Sequence, residues 1–511
     1  MTRLQPEPSG GQSRPDRSGC MVFWILLYGT GCLLFALYSL GWPVAAGREY
    51  WVYLEHYYGI ISSNTLFRPV GASYLLGWMS QLSVSWTDWI MGLAYLLHLT
   101  AVYHIAAPLF GGAVARAVTL LLLLDISVLS TFHLLDGDPF LALTVSVWCA
   151  GAVRLRHTNQ PTVLFLLGLA VILPVLMRQT AILLLLWLLF PMVQSGWSRN
   201  PVKRFGYLAI GAVTGLMLLC TYNAFHFGQF IVTGSGGIYI PAFHVFRHAP
   251  KFSMEYGPKN QQLLQRIQSE LLTQPEYTSR GITLDDFLQN SLDTRKFSDL
   301  NYLEHVQPGS VSGAAWESIQ ARPILFIKSL FSMTWRMYTG THIGTLPMPL
   351  VQPADGDRAK ASDALLATPS GSAAKIPDSS VASRVENHRL MADVFPPHQG
   401  DPEEVGRTVA RISTALVRPG HYHAAYLVKY FIADILPPML FFLLACFLLI
   451  LQWHHETVRL LLTFLFPAVL LIFGSGILHQ LPAYRAPFDF LIVLGAVVGL
   501  KGVGEMIWKP S

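Results

Sequence analysis

Charge is scarce in this chain: Asp, Glu, Lys and Arg make up only 13% of its 511 residues, whereas 52% are hydrophobic. Soluble domains carry about a quarter charged residues, so a soluble globular class is excluded and a polytopic membrane protein is implied. Cysteine is scarce as well. The five present, Cys20, Cys32, Cys149, Cys220 and Cys446, lie within or beside apolar runs, which leaves neither a disulfide framework nor the paired spacing of a zinc site. The first apolar run lacks a small-x-small cleavage signal, since Leu40-Gly41-Trp42-Pro43 follows it; it is expected to remain as an anchor. No internal repeat is evident. The net charge of +5 gives no reason to expect nucleic acid as a partner.

What the chain has is apolar sequence in blocks, at 21–41, 86–110, 114–132, 139–153, 161–177, 180–194, 206–221, 432–452, 460–478 and 486–502. Each is read as a crossing, which predicts an all-α polytopic membrane protein with about ten transmembrane helices. Several runs fall short of the roughly 20 residues a straight crossing needs, so hairpins such as 161–194 are expected to tilt or to span incompletely. Orientation follows from the basic residues of the short connections. With an inside amino terminus, Arg3, Arg14, Arg17, Arg154, Arg156, Arg199, Lys203, Arg204, Lys501 and Lys509 all fall on the cytoplasmic side, and so do both termini. The same parity puts Glu49, Asp136, Asp138, Arg178 and everything from 223 to 431 outside.

Four regions follow from this layout. Residues 1–19, rich in Pro, Gly, Ser and Arg, read as a disordered cytoplasmic tail; 20–222 form a transmembrane core with an outer loop at 42–85; 223–431 form a large extracytoplasmic segment; 432–511 form a closing transmembrane bundle. In the outer loop, 49–61 and 70–82 are of helical length but too short or too polar to cross, so interfacial helices are expected there. In the outer segment, 258–272 and 283–292 read as helices, and Arg322 to Arg336 as an amphipathic interfacial helix with proline in its first turn. Residues 352–386, rich in Ala, Ser, Asp, Pro and Gly, read as a flexible insert.

The polar residues concentrate at the breaks between runs. The loop from Arg48 to Gly77 holds Glu49, Tyr53, Glu55, Tyr57 and Phe67-Arg68-Pro69; the next outer break holds Asp136-Gly137-Asp138-Pro139; the tip of the 161–194 hairpin holds Arg178. Carboxylates and guanidinium groups are thus expected to converge at one lipid–water boundary. Asp125, among leucines, needs a partner at such a position and is read as a helix–helix hydrogen bond in preference to an ion or proton relay. His421-Tyr422-His423 and His454-His455 lack the clustered ligands of a metal site. A divalent cation at Asp136 and Asp138 is weighed against a turn with a helix-starting Asp-Pro, and the metal-free reading is preferred.

In this order the breaks resemble the integral-membrane glycosyltransferases of the GT-C type, in particular the branch of dolichyl-phosphate-mannose protein mannosyltransferases and lipid A aminoarabinose transferases. The resemblance covers most of 20–235 and returns thinly at 480–500. Glu49 and Tyr53 hold the spacing of the family's first-loop Asp and Tyr. Arg68-Pro69-Val70-Gly71-Ala72-Ser73-Tyr74 is similar to its arginine–proline segment, without the second proline. Asp138-Pro139-Phe140 looks like its second acidic site, Arg178 like its hairpin cation, Tyr222-Asn223-Ala224-Phe225-His226-Phe227-Gly228 like its Tyr-Asn segment, and Tyr484-Arg485 like its late Arg-Tyr pair, inverted. Glu at 49 departs from the family's Asp by one methylene, and catalytic geometry is sensitive on the order of an ångström, so Glu55 and Asp136 stay open as the working carboxylate.

The resemblance implies sugar transfer from a polyprenyl-phosphate donor to a glycan, lipid or protein acceptor at the extracytoplasmic face, in a bacterial plasma membrane. Such a reaction needs a base for the acceptor proton, cationic stabilisation of the leaving phosphate, and exclusion of water. Carboxylates flanking a sugar are the usual proton handlers, which makes Glu49, Asp138, Asp136 and Glu55 the catalytic candidates. A guanidinium offers bidentate hydrogen bonds to phosphate, which makes Arg178, Arg485 and Arg68 the donor-phosphate candidates. Tyr53, Tyr57 and Tyr484 are the expected substrate contacts. No cofactor is expected. A transporter or flippase would instead use Asp125 and broken helices at mid-membrane, and a non-catalytic scaffold would use the outer segment for binding; a polar path through Asp125 distinguishes transport from catalysis.

Overall fold

A computed structural model describes residues 17–41, 45–46, 50–60, 68–193, 200–227, 230–232, 239–279, 281–289, 299–300, 303–304, 306–339, 404–405, 407–408, 436, 438–478 and 485–508, except for single positions among them. The described chain is helical almost throughout. Its strand pairing is a two-residue parallel bridge between β1 (Ala45–Ala46) and β2 (Leu134–Leu135). The insert 352–386 lies outside the described residues.

Among the described residues, five helices are long and apolar enough to cross a membrane: Met21–Leu40, Ser85–Phe110, Pro201–His226, Glu456–Gly474 and Ala486–Glu505. The expectation of ten crossings rested on counting every apolar run, and the other runs make shorter elements. The run 114–132 breaks at Asp125 into α5 (Gly112–Leu123) and α6 (Ile126–Thr131). A 12-residue helix such as α5 rises about 18 Å, well short of the roughly 30 Å hydrocarbon core. The 161–194 hairpin comprises α8 (Pro161–Ala170), α9 (Ile172–Met177), a 3-10 segment at Gln179–Leu189 and α10 (Phe190–Val193). The closing region opens with another short apolar helix, Met439–Cys446.

The apolar side chains divide between an interior and a lipid-directed exterior. On α1 (Arg17–Gly41), Leu27 and Tyr38 are buried, while Met21, Val22, Ile25, Leu26 and Leu33 are exposed. An exposed apolar surface on this scale is what a hydrocarbon solvent permits and water does not. Inside, α4 (Val84–Phe110) is tied to α7 (Gly137–Arg154) by His98, whose Nδ1 lies 3.0 Å from Ser146 Oγ. Trp187 Nε1 donates to the Phe464 carbonyl at 2.9 Å, joining the first half of the chain to the last. Helix α8 and α11 (Pro201–Phe227) pack through glycines: a methyl group on Gly168 would overlap the Leu208 carbonyl, and one on Gly211 the Phe165 carbonyl. This is the close backbone approach that small residues allow in membranes.

The outer-loop pieces are helical, as α2 (Tyr50–Tyr57) and α3 (Val70–Ser80). Beyond α11, a second core forms around Phe246, Leu263, Ile267, Phe287, Leu303 and Ala315, carried by α12 (Tyr239–Arg247), α13 (Pro258–Arg266), α14 (Leu284–Gln289) and the helix Ser310–Ala321. The next helix, Pro323–Thr339, is amphipathic. It buries Leu330, Met333, Met337 and Tyr338 and exposes Ile324, Ile327, Phe331 and Trp335.

Candidate active site

Two breaks that are far apart in sequence meet where α7 begins. The bridge Ala45↔Leu134 and Ala46↔Leu135 brings the start of the first outer loop beside the approach to Asp136-Gly137-Asp138. Asp136 then caps α7, its Oδ1 accepting from Gly137 N at 2.6 Å. A carboxylate at a helix N-terminus satisfies a backbone donor there and suits the positive end of the helix, so Asp136 serves the helix start. Asp138 follows in the first turn and is buried.

Arg178 reaches this turn from the hairpin tip. Its backbone is extended, with φ −153 and ψ 124, which stops α9 and turns the side chain out of the helical path. Its Nη1 pairs with Asp138 Oδ1. The segment that carries it is pressed from two sides by positions without side chains. A Cβ on Gly137 would lie 2.5 Å from the Met177 carbonyl oxygen and 2.9 Å from Tyr53 Oη, and a Cβ on Gly71 would lie 2.7 Å from Leu176 Cβ.

Tyr53 brings a second cation. The Arg68 guanidinium sits over the Tyr53 ring at 5.6 Å, a cation–π arrangement, and Pro69 next to it starts α3. The two pairs are adjacent through Tyr53 Oη and Gly137. Beside them opens a cleft lined by Arg68, Val70, Leu176, Gln179, Leu219 and Asn223. Asn223 Nδ2 donates to the carbonyls of Ile231 at 2.7 Å and Val232 at 3.2 Å, fixing the chain that closes this wall.

An aromatic shelf continues from α3. Tyr74 Oη lies 3.1 Å from Tyr222 Oη, and Tyr222 stacks on His226 at 3.9 Å. His56, on α2, meets the edge of Tyr74 at 6.4 Å. Burial, aided by His226, pushes the His56 imidazole down to about 4, so it is neutral at neutral pH.

Of the residues expected from the sequence, Asp138, Arg178, Arg68 and Tyr53 come together. Glu49 and Tyr484 lie outside the described residues. Glu55 is buried on α2, while Tyr57 packs its ring against Gly77 of α3 and meets Tyr74 at 5.9 Å, a packing role. Arg485 departs from the expectation of a surface or phosphate-facing cation. It is 2% exposed, with Nε on Asp489 at 2.8 Å, Nη1 on the Met337 carbonyl at 2.8 Å and Nη2 on Ser127 Oγ at 3.3 Å. Asp125 caps α6 by accepting from Ser127 N at 2.8 Å, so it stands at a helix break and not within a span. Among the described residues, no three His, Cys, Asp or Glu side chains gather to hold a metal ion.

Sequence reasoning did not single out Gln179, Asn223 or His56. Asn223 carried a signal in the Tyr-Asn segment, and Gln179 in its place beside Arg178; nothing in the spacing of His56 marked it. No family model matches the chain, and neither a curated protein nor a solved structure matches it.

Proposed function

We propose that this chain is a membrane glycosyltransferase that moves a sugar from a polyprenyl-phosphate donor to a glycan, lipid or protein acceptor. The observation that carries the reading is the meeting of Asp138–Arg178 with Tyr53–Arg68 beside one cleft. Two guanidinium groups next to an apolar wall suit a phosphate attached to a lipid chain, because each offers planar donors and keeps its charge.

In this reading Arg178 and Arg68 hold the donor phosphate. The acceptor hydroxyl loses its proton to a carboxylate as its oxygen bonds to the sugar's anomeric carbon; the bond from that carbon to the phosphate oxygen breaks, and the released negative charge stays with the two arginines. Glu49 is the proposed base. The β1–β2 pair Ala46↔Leu135 stands three residues ahead of Glu49 and three ahead of Asp138, so the chain enters both acidic positions from one bridge. Asp138 keeps Arg178 oriented until the phosphate arrives. Arg485 has no part in phosphate binding here, since its donors are engaged within the fold. The positive charge comes from arginine, and the proposed reaction is metal-independent.

In this reading the shorter apolar helices complete an even number of crossings with the five long ones, and the basic connections then support cytoplasmic termini and a site at the extracytoplasmic face, in a bacterial plasma membrane. A transporter would run its substrate past Asp125, whereas the two pairs that carry the present reading meet at the start of α7. The experiment is consumption of a polyprenyl-phosphate sugar by the purified protein with candidate acceptors, for wild type and Arg178→Ala. Consumption that is lost in the variant supports the reading. Wild type that consumes no donor while moving it across vesicles would replace it with transport.

A further inference from the structure

Away from the cleft, three distant parts of the chain bring their charges together in the protein interior. Asp125 joins α5 to α6; Arg485 and Asp489 precede and open the last apolar helix, Asp489–Trp508; Met337 and Tyr338 end the helix Pro323–Thr339. Asp125 is 6% exposed, Arg485 2% and Asp489 0%. Arg485 binds Asp489 Oδ1 through Nε at 2.8 Å, the Met337 carbonyl through Nη1 at 2.8 Å, and Ser127 Oγ through Nη2 at 3.3 Å. Asp125 accepts from Ser127 N at 2.8 Å with its Oδ1. The other oxygen of each acid, Asp125 Oδ2 and Asp489 Oδ2, is buried and takes no hydrogen bond from any donor group among the described residues. The two carboxyl groups lie within hydrogen-bonding reach of each other.

Two ionised carboxylates and one guanidinium sum to −1, and a net charge sealed in an apolar interior is strongly disfavoured. Two carboxylate oxygens left facing each other repel unless a cation lies between them. Among the described residues, the groups turned toward the cluster from the packed elements supply none. Tyr95 spends its hydroxyl on the Leu123 carbonyl at 3.4 Å, Cys446 Sγ donates to the Ile492 carbonyl at 3.1 Å, and His98 is engaged with Ser146 while meeting the edge of Phe490 at 5.6 Å. Tyr338 also faces the charged pair.

We infer that Asp125 and Asp489 form a proton-binding site, one proton being carried on Asp125 Oδ2 and donated to Asp489 Oδ2. The salt bridge decides which acid holds it. Asp489 has the guanidinium at 2.8 Å and stays ionised, while Asp125 has backbone N–H donors and no direct cation contact among the described residues and takes the proton from water when the chain folds. The cluster is then neutral, and the proton joins the α5–α6 break to the last helix as a structural ligand. The site is independent of the proposed glycosyl transfer.

Infrared spectroscopy of the purified full chain at mildly alkaline pH tests it, because ordinary Asp and Glu side chains are ionised there and a retained carboxyl gives its own carbonyl band, shifted in D2O. The wild type should show such a band. Asp125→Asn, which keeps the shape and replaces the O–H by an N–H donor, should lose it and melt close to the wild type; Asp125→Glu should move it. No band in the wild type, or a band unchanged in both variants, overturns the proposal. A wild-type melting temperature that rises in sodium chloride over choline chloride, with no carboxyl band, assigns the place to a metal cation and also overturns it. The wild-type spectrum and the salt comparison decide the matter even if Asp125→Asn does not fold.

Discussion

Gly137→Ala tests whether the candidate site is held in place by the packing described above. The added Cβ would fall 2.5 Å from the Met177 carbonyl oxygen and 2.9 Å from Tyr53 Oη, where 3.4 Å begins ordinary contact. The carbonyl must therefore retreat by about 3.4 − 2.5 = 0.9 Å, and Arg178 follows Met177 directly in the chain. Forcing a methyl group into a packed site costs about 1–3 kcal/mol. A displacement of about 1 Å at groups that orient a substrate can lower turnover by about 10²-fold. The control is Gly151→Ala on the same helix, whose Cβ would meet only Leu167 Cδ1 at an ordinary 3.7 Å; it should be neutral or stabilise by up to about 1 kcal/mol, since alanine is the better helix former. Turnover of the lipid-linked sugar and melting temperature are measured for both variants. Wild-type turnover and stability in Gly137→Ala would show that the 176–178 segment yields freely and that Arg178 is not positioned by this contact.

Four further outcomes follow from the same reading. Glu49→Gln keeps size but cannot accept a proton, so turnover should fall by about 10²–10⁴-fold with donor binding little changed; a near-normal rate moves the base to another carboxylate. Arg178→Ala should weaken donor binding and turnover together, because a cation on a phosphate acts in ground and transition states alike; titration with labelled donor separates the two. A cysteine placed at exposed Gln307 should react with an impermeant reagent on intact cells, and one at exposed Asn200 should not; the reverse pattern inverts the orientation. His56, whose pKa falls from 6.5 to about 4 on folding, binds a proton more readily in the unfolded chain, so its contribution is full above about 6.5 and is lost as pH drops to about 4. That is about 3 kcal/mol at most, and the melting temperature of the wild type should fall relative to that of His56→Gln over this window.

The membrane class was legible because it depends on composition, and the helical runs were legible because apolar blocks have few alternatives in lipid. The division of the runs into shorter helices was not, since hydropathy cannot show that Asp125 turns toward Ser127 N and ends α5, or that Arg178 adopts an extended backbone between α9 and the 3-10 segment. The nearness of Asp138 to Arg178 was expected from their common face; their pairing is a finding of the structure. The cation–π pair of Arg68 and Tyr53 was not, because a separation of 15 positions along the chain leaves the distance open. Arg485 was misjudged for a related reason. An arginine beside an apolar run usually snorkels to water, and only the three-dimensional meeting with Asp489, four residues on, allows it to stay inside.

The Asp138–Arg178 pair is hard to explain as a stability device. A shielded ion pair gives little net stability over apolar residues of the same volume, because both charges lose water, although removing one partner alone can cost about 3–5 kcal/mol. Here the two side chains are 10% and 16% exposed, enough shielding for that loss of water to weigh heavily. The cleft beside them is lined by Val70, Leu176 and Leu219 as well as by Arg68 and Gln179, so an apolar pair would have packed there at least as well. What an apolar pair could not do is receive an anion. Asp138 holds the Arg178 guanidinium in place, and in the proposed function a phosphate, with more acceptor oxygens than a carboxylate, takes over the same donors without the arginine having to find a new rotamer. In the proposed function the ion pair is an anion receptor kept in order by its own counter-ion, which is the property a phosphate-linked donor requires.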